Sequence, residues 1–390
     1  MLLFDTPAGT DRGPAKHGEP HYDYLCRTGR LPFLRVREVM ESWLAQFPSH
    51  HQEELTLRLR SRDNHHFEAA FFELYLHELF RRLGYSMEVH PRAGDRNKRP
   101  DFLATENRRG ALLIEAASVC EMSDAARAAQ ARLNTVFDAL NRVHCPDYFM
   151  EVECYGTLTS PLPVGKLRHE LRRFLNSLDY EAARQVVSAG GLAKLPKFEF
   201  THDGFRLEIG VLPVSPQKRG HPEHRPLGLY GPGEVRLVDN RTPLRDKLCQ
   251  KAGHYGRLRR PLLIAINAAG RHLDGIDVTE ALFGKESWAF SPLADELNEP
   301  VFRRVPNGAL FGPKGPRNRN VSAALFVSSL LPWTVASAQP VTYHNPWARY
   351  TVDPLPEGLA QFRSDGHLMV ASGGRAVHQV LGLPEGWPHF

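Results

Sequence analysis

The chain has 390 residues, which is enough for two or three domains of ordinary size. Apolar residues make up 42% of it, so packed cores are expected and an extensively disordered protein is excluded. The formal net charge is +5, and 39 of the 49 basic residues are arginines, whose guanidinium groups match phosphate geometry. This charge is compatible with a nucleic-acid partner but does not require one.

The sequence argues against a membrane or secreted protein. The longest nearly uninterrupted apolar run, residues 323–333, is shorter than the roughly 20 residues that a membrane-spanning helix needs. Residues 1–5 lack the basic and hydrophobic regions of a signal peptide. The five cysteines contain no C-x-x-C pair, which disfavours a zinc ribbon and a disulfide framework. We therefore expect a cytoplasmic protein without a membrane partner.

The first half of the chain predicts an α/β unit with a mixed sheet. Residues 1–30 carry little apolar periodicity and predict an arm or a poorly ordered lead-in, and residues 33–59 predict helix with a break at Pro48. Residues 65–83 contain no Gly or Pro and predict a helix that is buried on more than one side. The elements that follow are three strands at 85–90, 101–105 and 111–117, a helix at 124–143 and a strand at 148–155.

The second half carries weaker signals. Its predicted elements are a basic helix at 164–187, strands at 198–201 and 205–214, a loop or lid at 215–233, a helix at 243–255, and strands at 262–267, 321–330 and 341–343. We divide the chain into an N-terminal arm and helix at 1–60, an α/β core at 61–156, an α/β extension packing on that core at 157–300, and a Pro/Gly-rich C-terminal region with short strands at 301–390.

Three carboxylates stand out among these elements. Glu73 lies with His66 and His77 on the one polar stripe of the buried helix. Asp101 opens the second strand, and Glu115 lies inside the otherwise apolar third strand, so a hairpin would place these two side by side. A buried carboxylate is costly unless it is paired or binds a cation, and Mg²⁺ is typically held by one or two carboxylates. Such a metal activates water and neutralises charge on a phosphate.

The order of a helix with Glu73, then Pro100-Asp101, then Glu115 in an apolar strand, then a helix resembles the PD-(D/E)xK nuclease superfamily. The resemblance covers residues 62–156. It implies a restriction-endonuclease-like α/β core with a mixed central sheet flanked by helices, followed here by an α+β C-terminal region. It also implies that Asp101 and Glu115 bind Mg²⁺, for which Mn²⁺ can substitute, and that Glu73 assists them.

The chain departs from the family pattern at the lysine that follows the second acid by two residues, because Ala117 occupies that position. Lys98, three residues before Asp101, is one candidate replacement. Lys251 is another, because related nucleases carry Gln or Lys four residues before a Tyr on the helix after the catalytic strand, and Tyr255 stands there. Lys251 requires residues 120–240 to be an insertion, whereas the predicted helix at 124–143 favours a contiguous core.

Basic side chains supply candidates for contact with nucleic acid. Each basic cluster alone is more often a solvated surface, but together with a metal site the clusters would bind phosphates in a salt-sensitive, sequence-independent way. The candidate residues are Arg99, Arg168, Arg172, Arg257, Arg259, Arg260, Arg317 and Arg319.

The sequence thus predicts a Mg²⁺-dependent phosphodiesterase acting on DNA, with restriction, phage defence or repair as roles that the family suggests. A homodimer or a larger complex stays open. H-E-x-x-H, P-loop and G-x-S-x-G motifs are absent from the sequence, which disfavours a zinc protease, a P-loop NTPase and a serine hydrolase of that type. Two alternatives remain: an inactive nuclease-fold protein that binds nucleic acid or a partner protein, and a toxin or effector component of a larger complex.

Overall fold

The structure is a computed structural model that describes residues 2–5, 7, 9–108, 110–119, 124–191, 194–220, 226–232, 239–268, 273–289, 301–352, 358–365 and 368–389. The chain forms two compact units. The first comprises Met1–Gly13, Pro20–Glu121 and Asp239–Phe390, and the second comprises Pro14–Glu19 and Met122–Val238. None of the helices in the described part of the chain combines the length and the apolar character that crossing a membrane requires.

The described residues form helices and strands that alternate along much of the chain. The helices are α1 (His21–Arg27), α2 (Leu31–Gln46), α3 (Ser49–Leu59), α4 (Asn64–Arg82), α5 (Asp124–Leu140), α6 (Val164–Asn176), α7 (Tyr180–Ser188), α8 (Arg241–Ala252), α9 (Gly275–Phe283) and α10 (Val377–Leu381). The strands are β1 (Ser86–Val89), β2 (Phe102–Glu106), β3 (Gly110–Val119), β4 (Tyr148–Tyr155), β5 (Lys197–His202), β6 (Phe205–Pro213), β7 (Leu227–Pro232), β8 (Leu262–Ala268), β9 (Glu286–Ala289), β10 (Val301–Arg304), β11 (Phe311–Gly312), β12 (Gly315–Pro316), β13 (Ala323–Ser328), β14 (Val341–His344), β15 (Ala360–Asp365) and β16 (Leu368–Ser372).

The first unit is built on an eight-stranded mixed sheet with the strand order β1-β2-β3-β8-β13-β14-β15-β16. The strands from β1 to β3 are antiparallel, whereas β3, β8 and β13 run parallel to one another. Two further antiparallel strand pairs, β9–β10 and β11–β12, lie outside this sheet. The expected α/β architecture with a mixed central sheet is confirmed.

Helices cover both faces of the sheet. Along β3, Leu112 and Ile114 belong to the core that contains α2, α3 and α4, whereas Leu113 and Ala117 belong to the core that contains α8 and α9. Successive residues of a strand point to opposite faces, so these two cores lie on opposite sides of the sheet. The helix that carries Glu73 and the helix that carries Lys251 therefore sit on different faces.

The helix α4 follows directly from its sequence. The Asp63 carboxylate caps its start by accepting the backbone N–H of His65. Its apolar residues Phe67 and Phe71 are fully buried, and burial of a side chain of this kind contributes about 2 kcal/mol. Near its end, the buried Glu78 carboxylate accepts hydrogen bonds from Arg81 and Arg82. The predicted helix at 65–83 is confirmed, with ends that differ by one residue.

The parallel pairing of β3 with β8 makes α8 the connection between two neighbouring strands of the sheet, as in a βαβ unit. The second unit is inserted in the sequence between β3 and α8. The preference for a contiguous core over 61–156 is therefore corrected, because α5 and β4 belong to the second unit. The predicted boundary at 300 is also corrected, since β13 to β16 extend the main sheet.

The second unit has its own sheet, with the strand order β5-β6-β4-β7, and its own apolar core. Leu167 and Leu171 of α6 contribute to that core. The predicted helix at 164–187 is two helices, because α6 ends at Asn176 and the Asp179 side chain caps α7. Of the predicted loop at 215–233, residues 227–232 form β7, and residues 221–225 and 233 lie outside the described residues.

The predicted N-terminal arm divides between the units, with residues 1–13 and 20–30 in the first and residues 14–19 in the second. Leu3 and Phe4 are buried in the core, and their backbone N–H groups donate to the Glu41 carboxylate of α2. Residues 21–27 form α1, whose Leu25 is fully buried. The prediction was wrong because a few apolar residues anchor a segment that is otherwise rich in Gly and Pro.

Candidate acidic site

The β2–β3 hairpin brings Asp101 and Glu115 together. Phe102 pairs with Ile114, so the residue before Phe102 and the residue after Ile114 lie opposite each other at the end of this ladder. The Asp101 Oδ2 atom accepts a hydrogen bond of 2.6 Å from the backbone N–H of Ala116. The expected proximity of these two acids is confirmed by this arrangement.

Glu115 is bound from the α8 side of the sheet. Its side chain is 5% exposed, and Lys251 Nζ donates to Oε1 over 2.5 Å. The Tyr255 hydroxyl, which lies three residues beyond the end of α8, donates to Oε2. Burial, followed by the negative charge of Glu115, raises the pKa of Tyr255 far above its usual value, so the tyrosine remains a donor. Lys251 thus neutralises Glu115, as expected if residues 120–240 are an insertion.

Glu73 reaches the same region from α4, but an arginine holds it. Arg58 of α3 donates from both terminal nitrogens to the Glu73 carboxylate, over 2.8 and 2.5 Å. The Glu73 side chain is 14% exposed and the Arg58 side chain is 35% exposed. The hydrogen bond to Glu73 raises the pKa of Arg58. Glu73 therefore lies at the site as one half of an ion pair.

A pocket of about 230 Å³ opens beside these acids. Its walls come from α4, from β3, from Asp101 directly before β2, and from α8. They consist of His65, Ala69, Phe72, Glu73, Asp101, Ala116, Ala117, Ser118, Lys247 and Lys251. Burial and the nearby Lys251 ammonium lower the pKa of Lys247. The Ser118 hydroxyl is buried and lacks a hydrogen-bond partner among the described residues, so the pocket offers it as a polar group for a ligand.

The charge balance of the pocket appears most clearly at Asp101. Burial raises the pKa of Asp101 to about 8, with further increases from the charges of Glu115 and Glu73. The Ala116 N–H and the Lys251 ammonium oppose this shift without cancelling it. Without another cation, Asp101 is therefore largely protonated at neutral pH.

These residues fit a divalent cation with oxygen ligands. A cation beside Asp101 would offset the repulsion that raises its pKa, and Mg²⁺ needs only one or two carboxylates because it keeps several waters. Asp101 and Glu115 would hold it, since each carboxylate oxygen keeps a free lone pair beside its present bond. Within the described ranges, the group of three His, Cys, Asp or Glu ligand atoms that all lie within 4.8 Å is a different one, His51, Glu54 and His90. Among the described residues, Glu73, Asp101 and Glu115 thus do not form a three-ligand group as tight as that one.

Lys98 does not belong to the site. It is exposed in the segment between β1 and β2, and it is not among the residues that line the pocket. The histidines of the predicted polar stripe are also placed elsewhere. His66 is exposed, whereas His77 is buried and its burial lowers its pKa to about 4, which keeps the ring neutral. Of the two candidate lysines, the structure brings only Lys251 to Glu115.

The candidate arginines fall into three groups. Arg99, Arg257, Arg259 and Arg260 are exposed in the first unit. Arg317 and Arg319 instead hold their own loop, because their side chains donate to the carbonyls of Gly308 and Trp347. On α6 of the second unit, Arg172 is exposed and Arg168 is half-buried. Arg317 and Arg319 are exposed in the same unit as well, but their side chains are bound to their own loop, so the first group is the better candidate for contact with a ligand.

Sequence reasoning missed four side chains that shape this site: Arg58, His65, Ser118 and Lys247. Lys247 precedes Lys251 by one helical turn, and this i, i+4 spacing was a signal that could have identified it. Arg58 gave no comparable signal, because its partner lies on another helix.

Comparison of the chain with protein-family models, with curated proteins and with solved structures found no match.

Proposed function

We propose that the chain is a divalent-metal-dependent nuclease of the PD-(D/E)xK type, with a restriction-endonuclease-like core formed by α4, β1 to β3, α8 and β8. The observation that carries the proposal is the contact of Lys251 with Glu115, 2.5 Å from Nζ to Oε1, next to the buried Asp101. This contact supplies the lysine that the sequence lacks at Ala117.

In this proposal each residue has a defined task. Asp101 and Glu115 hold the cation, and Tyr255 orients Glu115 through its hydroxyl. The bound metal would supply an activated water and neutralise negative charge at the scissile phosphate. The Lys251 ammonium lies at the pocket wall, where it can donate to a phosphate oxygen and stabilise the charge that develops there. Glu73 keeps Arg58 in place and adds negative charge beside Asp101.

The exposed positive charge supports a nucleic-acid substrate, and the family resemblance favours DNA. The exposed Arg99, Arg257, Arg259 and Arg260 belong to the same unit as the pocket and can bind a phosphate backbone. Guanidinium contacts of this kind give affinity without reading the base sequence. This supports a nucleic-acid substrate and makes no prediction of a recognition sequence.

One observation favours the second candidate, an inactive nuclease-fold protein that binds nucleic acid. Both Glu115 oxygens are already bound by Lys251 and Tyr255, and Arg58 binds both Glu73 oxygens. Internal neutralisation of this kind can stabilise the acids without a metal. The two candidates differ in whether the protein cleaves DNA or only binds it.

The experiment measures cleavage of supercoiled plasmid and of single-stranded DNA with Mg²⁺, Mn²⁺ or EDTA. The variants are Asp101→Asn and Glu115→Gln, and DNA binding is measured in EDTA as a control for folding. We expect metal-dependent cleavage that both variants lose while they still bind DNA. Cleavage that persists in EDTA or in both variants contradicts the proposal. DNA binding without cleavage under every metal condition supports the second candidate.

A further inference from the structure

A second group of metal-ligating side chains lies outside the acidic pocket. One ligand atom from each of His51, Glu54 and His90 lies within 4.8 Å of the other two. His51 and Glu54 are three residues apart on α3, so they share one face of that helix. His90 directly follows β1. None of the three lines the pocket that contains Asp101.

The two imidazoles approach each other in a fixed arrangement. Their ring centroids lie 5.4 Å apart with the planes at 87°, and one nitrogen of each ring lies within 4.8 Å of the other and of a Glu54 oxygen. His90 has a backbone φ of 51°, in the left-handed region that non-glycine residues seldom adopt. Its backbone N–H donates to the Asp101 carbonyl over 2.9 Å, which holds this conformation. The three ligands thus come from two separate elements, α3 and the segment that follows β1.

The donor set selects the class of metal. Two imidazole nitrogens and one carboxylate oxygen are the ligands of zinc sites that keep a fourth position for water. Mg²⁺ prefers oxygen ligands throughout, so it is a poor match for two histidines. This site and the acidic pocket therefore call for different ions.

We propose that His51, Glu54 and His90 bind a zinc-class transition metal ion, and that this ion fastens α3 to the segment between β1 and β2. Two contacts lead from this site to the acidic pocket. The His90 N–H binds the Asp101 carbonyl, and Arg58, four residues after Glu54 on α3, binds Glu73. The metal would thus hold two walls of the pocket in place. This inference is independent of the proposed nuclease activity.

The test uses the full chain after EDTA treatment and dialysis. Co²⁺ is added as a spectroscopic probe, Zn²⁺ is used to displace it, and thermal unfolding is measured with and without Zn²⁺. The ligand variants are His51→Gln and His90→Asn, since Asn tolerates the left-handed backbone. The matched control is His66→Gln, an exposed histidine on α4. Asp101→Asn reports on the acidic pocket.

We expect a Co²⁺ site that persists in Asp101→Asn and is displaced by Zn²⁺, and a higher Tm with Zn²⁺. His51→Gln and His90→Asn should each weaken binding by more than about tenfold, since even the loss of an outer-sphere partner costs that much. His66→Gln should bind Co²⁺ like the wild type, and Asp101→Asn should keep the site formed by His51, Glu54 and His90. Unchanged binding in the ligand variants, or equal loss in either of the other two, overturns the assignment. A ligand variant that unfolds even with Zn²⁺ is replaced by Glu54→Gln, which must also weaken binding.

Discussion

Lys251 and Glu115 are 136 residues apart in the chain, and their side chains meet with Nζ 2.5 Å from Oε1. The contact forms because α8 follows the second unit in the chain and leads into β8, which pairs with β3. A buried carboxylate in an apolar strand is costly unless it is compensated, and Lys251 and Tyr255 supply the compensation. The same lysine also lines the pocket.

The raised pKa of Asp101 predicts how metal binding depends on pH. A metal must displace the Asp101 proton, so the affinity for Mg²⁺ or Mn²⁺ should rise as the pH increases towards about 8 and level off above it. Below that pH the expected slope approaches a tenfold change per pH unit. Titration calorimetry with Mn²⁺ between pH 6 and pH 9 measures this slope, and an affinity that is independent of pH would contradict the assignment of Asp101 as a ligand.

The same shift predicts the pH dependence of the free energy of unfolding in EDTA. The unfolded chain releases the Asp101 proton near the ordinary value of 3.8, whereas the folded chain keeps it up to about 8. The folded state therefore binds more protons across this window, and the contribution of Asp101 to stability falls as the pH rises through it. Asp101→Asn should remove this loss and be more stable than the wild type at pH 9 by at least about 1 kcal/mol.

Denaturant unfolding of the wild type and of Asp101→Asn at pH 5, 7 and 9 measures this difference. A gap between the two proteins that does not widen with pH would show that Asp101 is ionised across the whole range.

Removal of Arg58 tests whether Glu73 needs its partner. Arg58→Ala leaves the Glu73 carboxylate with little exposure and without its two hydrogen bonds. We expect a destabilisation of about 1–3 kcal/mol in EDTA, because a charged group loses its paired donors. Mg²⁺ should restore part of the loss, since a nearby cation can replace the guanidinium. Thermal unfolding with and without Mg²⁺ measures both effects. Arg62→Ala, at a side chain that is 81% exposed, is the control, and equal destabilisation of both variants would contradict this account.

The exposed arginines after α8 should set the salt dependence of DNA binding. A variant with Arg257→Gln, Arg259→Gln and Arg260→Gln should bind DNA more weakly. The slope of log affinity against log salt should decrease by about 0.9 for each phosphate contact that is lost. Fluorescence anisotropy at several salt concentrations measures this slope. Arg184→Gln, an exposed arginine of the second unit, is the control, and an unchanged slope in the triple variant would place the DNA contact elsewhere.

Local pattern was sufficient for several elements of the fold. The strands predicted at 101–105 and 148–155 correspond to β2 (102–106) and β4 (148–155), because apolar alternation and flanking turn residues mark such strands. The two acids of the hairpin were identified for the same reason. A charged residue inside an apolar run is visible in the sequence itself.

The path of the chain between β3 and α8 was not accessible in the same way. The helix and the strand within residues 124–155 have the lengths that a contiguous core would have. They belong to the second unit because β4 pairs with β6 and β7. The partner of Glu73 was missed for a related reason, since Arg58 and Glu73 are on different helices. Pairings between distant elements leave no periodic signal in the sequence.

The initial rate of Mg²⁺-dependent plasmid cleavage by Lys251→Met, compared with Lys98→Met, tests the central claim most directly. Lys251→Met keeps much of the volume of the side chain and removes its charge, and Lys98 is the exposed alternative. The account predicts a loss of at least about 100-fold for Lys251→Met, because a donor to developing charge is removed, and an unchanged rate for Lys98→Met. Wild-type cleavage by Lys251→Met, or loss of activity in Lys98→Met alone, would contradict it.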